Sequence, residues 1–140
     1  MPAHNPMTMV MVDDDVDQIF STRRLVRSSG IVNHFVSEHK SEKLIETLEE
    51  LHHVHGTRNI VVLLDLNMPH LNGLEALAAI RAHSQFRELP VFIFSASNDD
   101  ADRREALGHG ANGYIVKSFT IDAFIAAMSQ LPKVKFQLMQ

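Results

Sequence analysis

Short runs of Val, Ile, Leu and Phe alternate along this chain with longer segments whose apolar residues recur at three- and four-residue intervals. The short runs cover Thr8 to Val12, Val32 to Ser37, Ile60 to Asp65, Val91 to Ser95 and Gly113 to Val116, and they predict strands. The third and fourth are apolar almost throughout, as expected of parallel strands covered by helices on both faces. Between and after them lie stripes of helical period: Val16, Ile19 and Phe20; Leu44, Leu48 and Leu51; Leu74, Leu77 and Ala78; and Ile121, Phe124, Ile125 and Met128. The segment Asp100 to Leu107 is poorer in apolar residues and predicts an exposed fourth helix. Helix starts are marked by Ser41, Asn72, Asn98 and Thr120, and stops by Gly30, Gly56 and the Gly108-His109-Gly110 run.

The resulting βαβαβαβαβα order predicts an α/β domain over residues 8–131, with a flexible N-terminal segment over 1–7 and a tail over 132–140. A chain of 140 residues that is 45% hydrophobic has enough apolar material for one core and too little length for two domains. The net charge of -4 is mild and the basic residues are scattered, which disfavours direct contact with nucleic acid. No cysteine is present, so disulfides, thiolate catalysis and cysteine zinc sites are excluded. Neither a membrane span nor a signal peptide is visible, and a soluble cytoplasmic protein is the expectation.

The chemistry collects at the strand ends. Asp13, Asp14 and Asp15 end the first strand, Asp65 the third, Ser95 the fourth and Lys117 the fifth. In a parallel sheet of order 2-1-3-4-5 the first and third strands are neighbours and all these ends share one edge. Carboxylates so crowded cannot all stay ionised without compensating charge. A hard divalent cation with oxygen ligands, typically Mg²⁺, meets that need. Acidic residues also favour helix N-termini, and Asp15 is the candidate for that simpler role. His52 and His53 are adjacent and point to different helix faces, and with His55 they do not make a metal site; His70, His83 and His109 read as surface residues. The pairs Arg23-Arg24 and Arg103-Arg104 read as solvated or salt-bridged.

Five elements in order make the chain resemble the receiver domains of two-component response regulators, with their flavodoxin-like, CheY-like fold. They are Val12-Asp13-Asp14-Asp15; Asp65-Leu66-Asn67-Met68-Pro69; Asn72-Gly73; Ser95-Ala96; and Gly113-Tyr114-Ile115-Val116-Lys117. The resemblance implies that Asp65 accepts a phosphoryl group from a sensor histidine kinase or a phosphotransfer protein. It implies Mg²⁺ held by Asp14, Asp65 and the carbonyl of Asn67, with Asp13 acting mainly through water. Lys117 and the Ser95 hydroxyl would meet phosphoryl oxygens, and Tyr114 is either a switch residue or a core aromatic. Output would pass through altered contacts with a downstream protein or through a homodimer formed by the fourth helix, fifth strand and fifth helix.

Ser118 departs from the family, which usually has proline after the lysine. A cis bond before a non-proline residue costs about 2.5–4 kcal/mol, so either the Lys117-Ser118 bond is trans with a rearranged loop, which is the expectation, or strain is stored beside the site. The lysine-serine pair resembles stand-alone receivers that partner phytochrome-type histidine kinases. Two other classes fit less well. Haloacid dehalogenase-like phosphatases have an Asp-x-Asp on the first strand, whereas this nucleophile candidate lies on the third. A flavodoxin needs a phosphate-binding loop after the first strand, where three aspartates would repel the ligand.

Overall fold

In a computed structural model, described over residues 7–32, 34–55, 59–66 and 73–131, the chain forms five strands and five helices. They are β1 (Thr8–Val12), α1 (Val16–Ser29), β2 (His34–Glu38), α2 (Leu44–His55), β3 (Ile60–Asp65), α3 (Gly73–Ala82), β4 (Val91–Ser95), α4 (Asp100–Gly108), β5 (Gly113–Val116) and α5 (Ile121–Met128). A 3₁₀ turn over Ser41–Lys43 leads into α2. The sheet is parallel, in the order β2-β1-β3-β4-β5, as expected.

Alternate side chains of each strand serve opposite layers. Val10, Val12, Val62, Leu64 and Ile93 face a core closed by Leu44 and Leu48 of α2, Leu77 and Ile80 of α3 and Ala106 of α4. Met9, Met11, Val61, Leu63, Phe92 and Phe94 face a second core closed by Ile19 and Val26 of α1 and Phe124 and Met128 of α5. Every residue of β1, β3 and β4 is buried, and the edge strand β2 is only partly so. Each Val, Leu or Phe buried in this way contributes about 1.5–3 kcal/mol.

Local signals explain most boundaries. Asp15 caps α1 by accepting from the Asp17 and Gln18 N–H groups at 3.0 and 3.3 Å. Gly30 ends that helix at φ 75°, in the left-handed region that glycine enters without steric cost. Thr120 caps α5, accepting from the Ala123 N–H at 3.1 Å. As predicted, α4 is exposed, with Ala106 its buried residue.

Five expectations change. In α1 the buried positions are Ile19, Thr22 and Val26, while Val16 and Phe20 are 64% and 59% exposed. In α3 Ala76 and Ile80 join Leu77 inside and Ala78 faces out. The second strand starts at His34, with Val32 buried in the preceding turn. Ser41 lies inside the 3₁₀ turn, whose cap position is Lys40, and Asp99 rather than Asn98 caps α4 by accepting from the Ala101 N–H at 2.9 Å. The Asn72 cap, the Gly56 stop and the segments 1–6 and 132–140 lie outside the described residues.

Candidate functional site

The parallel order delivers the carboxyl ends of β1, β3, β4 and β5 to one edge, and the register aligns them. Val12 pairs with Leu64, Asp65 with Phe94, and Ser95 with Val116. The residue after β1 is Asp13, so the acidic pair following β1 meets Asp65 with no long loop between them.

Oxygens of Asp13, Asp14 and Asp65 all lie within 4.8 Å of one another. Asp13 and Asp65 are buried and Asp14 is exposed. The Asp15 N–H donates to Asp13 Oδ1 at 2.9 Å, fixing that carboxylate from its own chain. Lys117 Nζ reaches Asp13 Oδ2 at 3.0 Å and Asp65 Oδ2 at 3.6 Å. Burial pushes the Lys117 ammonium pKa down, but the two carboxylates outweigh this and hold it above the ordinary lysine value. One ammonium cannot balance three carboxylates. The donor set is all oxygen, clustered and open to solvent on the Asp14 side, which suits a hard divalent cation. Asn67, the further metal ligand implied by the sequence, lies outside the described residues, as does His70.

Ser95 is buried, and the Lys117 N–H donates to its carbonyl at 2.8 Å. Its Oγ accepts from the Ser97 N–H at 3.1 Å. Ser97 carries the connection outward: its hydroxyl donates to Asp102 Oδ2 at 2.7 Å and its carbonyl accepts from the Tyr114 hydroxyl at 3.0 Å. Tyr114 is 9% exposed, with the Arg103 guanidinium 4.9 Å from its ring centroid. Ser95, the β4–α4 loop, α4 and β5 thus form one bonded series.

The Lys117-Ser118 bond is cis, a correction to the trans expectation. The chain must leave β5 with Lys117 turned to Asp13 and return Phe119 at once to the core. This tertiary demand overrides the local preference. The arginine pairs are also not simply solvated: Arg23, Arg24 and Arg103 lie over the rings of Phe35, Phe20 and Tyr114. His52 packs edge-on against Phe86 and His83 stacks on it, while His53 is exposed.

Three contacts escaped the sequence. The ring of Phe94 lies under Lys117 Nζ, at 5.2 Å from its centroid, although its residue type signalled only strand core. Gly73 donates its N–H to the Leu66 carbonyl at 2.9 Å and packs so closely that an added Cβ would stand 2.7 Å from Leu66 Cα. Arg81 donates to the carbonyls of Arg87, Leu89 and Gly110 and to Asn112 Oδ1, at 2.8–3.1 Å, and burial pushes its pKa down.

The fold and the acidic edge define a signalling receiver, and comparison with known proteins agrees. Residues 9–129 match the response regulator receiver domain, and the chain belongs to that family. It is 31% identical over 114 residues to the chemotaxis protein CheY1 of Helicobacter pylori, covering 81% of this chain and 87% of that protein. It is 32% identical over 123 residues to the transcriptional regulatory protein PrrA of Mycobacterium leprae, covering 88% of this chain but 48% of that longer one. Among solved structures, the bacteriophytochrome response regulator RtBRR superposes with a TM-score of 0.76 at 26% identity, over 91% of this chain and 78% of that one. The bacteriophytochrome response regulator AtBRR shares the fold, with a TM-score of 0.82 at 24% identity over 97% and 99% of the two chains. No helix among the described residues is long and apolar enough to cross a membrane.

Proposed function

We propose that this receiver is phosphorylated on Asp65 by a phosphohistidine of a sensor histidine kinase or phosphotransfer protein, with Mg²⁺ as cofactor. The observation that carries the reading is the convergence of Asp13, Asp14 and Asp65 oxygens within 4.8 Å, with Lys117 3.6 Å from Asp65. Asp65 Oδ attacks phosphorus as the phosphorus-nitrogen bond breaks, and the bonding electron pair leaves with the imidazole nitrogen. Such a transfer depends on in-line positioning and charge neutralisation. Asp14, Asp65 and the Asn67 carbonyl would hold Mg²⁺, with Asp13 acting mainly through water, and the bound ion would supply neutralising charge at the phosphoryl oxygens.

Lys117 would exchange part of its contact with Asp13 for a phosphoryl oxygen. The Ser95 hydroxyl would donate to another. Because Ser97 is bonded to Ser95, Asp102 and Tyr114, a shift of Ser95 would be passed to α4 and β5, and Tyr114 would act as a switch residue within that series. The chemistry serves signalling, and the protein is a phosphoacceptor rather than an enzyme acting on other substrates. The receiver would span residues 8–131, work in the cytoplasm and signal to a downstream protein through altered contacts. Similarity to bacteriophytochrome response regulators makes a phytochrome-type kinase the first partner to test. A homodimer through α4, β5 and α5 is the corresponding self-association, and sedimentation with and without a phosphate mimic tests it; an unchanged monomer rejects it.

The primary experiment is intact-mass analysis, quenched in acid, after incubation with acetyl phosphate. A single phosphate adduct that requires Mg²⁺ and disappears in Asp65→Asn is the expected result. An adduct that persists in Asp65→Asn, or in chelator, would overturn the assignment.

A further inference from the structure

The groups that hold Lys117 have a second task. Asp13 and Asp65 belong to the cluster that fits a divalent cation, and such a cation competes with the ammonium for the same oxygens. If those carboxylates were its sole restraint, Lys117 would lose its position when the site is loaded.

A third contact does not compete. Lys117 Nζ lies over the face of Phe94, 5.2 Å from the ring centroid, and the lysine side chain is 16% exposed. An aromatic face attracts a cation electrostatically, more strongly when water is excluded, and it offers no ligand to a hard metal. Phe94 is 1% exposed, immediately precedes Ser95 and pairs with Asp65 across the sheet. Its ring is fixed by Phe119, edge to face at 6.0 Å, and Phe119 packs on Phe124 at 5.8 Å. The ring plane therefore belongs to the rigid core, while its face borders the site.

We propose that Phe94 is a positioning residue, whose ring face keeps the Lys117 ammonium beside Asp65 whether or not a divalent cation occupies the carboxylates. What the ammonium then does for phosphoryl transfer rests on the function proposed above. The location of the ammonium does not.

The test uses the full chain with phenylalanine at position 94 replaced by analogues carrying one, two or three ring fluorines, which weaken the negative face with little change of shape. Phe94→Leu serves as the ring-free control, and its thermal melt checks folding. In metal-free protein with ¹³C-labelled lysine, the Lys117 ε-methylene resonance, assigned by its loss in Lys117→Arg, should be shifted upfield of the other lysines. That shift should persist on adding Mg²⁺ and vanish in Phe94→Leu. The acetyl phosphate reaction should slow stepwise with fluorine number, by about tenfold at three fluorines. An unshifted Lys117 resonance, a shift lost on adding Mg²⁺, or a flat fluorine series in a phosphorylatable protein would overturn the proposal. Absence of any adduct on the unaltered protein would reject the receiver chemistry instead, and the resonance measurement would still judge the role of the ring.

Discussion

Lys117 stands closer to Asp13 than to Asp65, at 3.0 Å against 3.6 Å. The cation is placed first against the fully buried carboxylate, where an uncompensated charge costs most. Lys117→Met should therefore destabilise the metal-free protein by about 3 kcal/mol, the scale for breaking a buried pair from one side. The pH dependence follows from the raised lysine pKa. The stabilisation is fully present below the ordinary value of 10.5 and is lost as pH rises through the higher folded value. Urea melts of the two proteins should differ at pH 8 and converge in the alkaline limb; a gap that is constant with pH would contradict the pairing.

Crowding of Asp13, Asp14 and Asp65 has the opposite sign. Asp65→Asn removes one of three neighbouring negative charges and should raise metal-free stability by about 1–2 kcal/mol while abolishing phosphorylation. Mg²⁺ at a hundred times its dissociation constant should stabilise the unaltered protein by about 2.7 kcal/mol. That increment should shrink in Asp65→Asn and in Asp14→Asn. Thermal melts with and without Mg²⁺ give both numbers.

On α1, two apolar residues of similar appearance in the sequence should behave differently. Phe20 is largely exposed beneath Arg24, and Phe20→Ala should cost under about 1 kcal/mol. Val26 is buried against the α5 side of the sheet, and Val26→Ala should cost about 2 kcal/mol. Denaturant melts of both variants settle the comparison.

The contrast shows what the sequence could and could not convey. Strands β1, β3, β4 and β5 were legible to the residue, because a buried parallel strand is an unbroken apolar run between turn signals. Helix faces were less so. Val16, Ile19 and Phe20 form an acceptable stripe by spacing, and only the position of α1 against β1 and α5 selects Ile19, Thr22 and Val26 instead. At the site, Asp13, Asp14, Asp65, Ser95 and Lys117 were visible because each is a polar residue ending an apolar strand. Phe94 and Arg81 were not, since their roles depend on partners brought in from the segments flanking β4 and β5. The Lys117-Ser118 bond was not legible either, because local sequence leaves both isomers open and only favours trans.

Arg81 offers a further check far from the acidic edge. Its guanidinium meets three carbonyls and one side-chain amide from the segments flanking β4 and β5. Lysine has no planar fork to satisfy them together. Arg81→Lys should cost about 2–3 kcal/mol while leaving Asp65 phosphorylation unchanged. Melts paired with the intact-mass assay would show a stability defect separated from chemistry.

Gly73 begins α3 with its backbone against the strand end that carries Asp65, and no room is left for a β-carbon. Gly73, which the sequence offers as the residue after a helix-start signal, is therefore also a spacer. Any side chain there would act as a wedge against the Asp65 and Leu66 backbone, which would have to shift to admit it. Tolerance to change in this protein is thus set by distance through space, and a residue without functional groups of its own is as constrained as the carboxylate it supports.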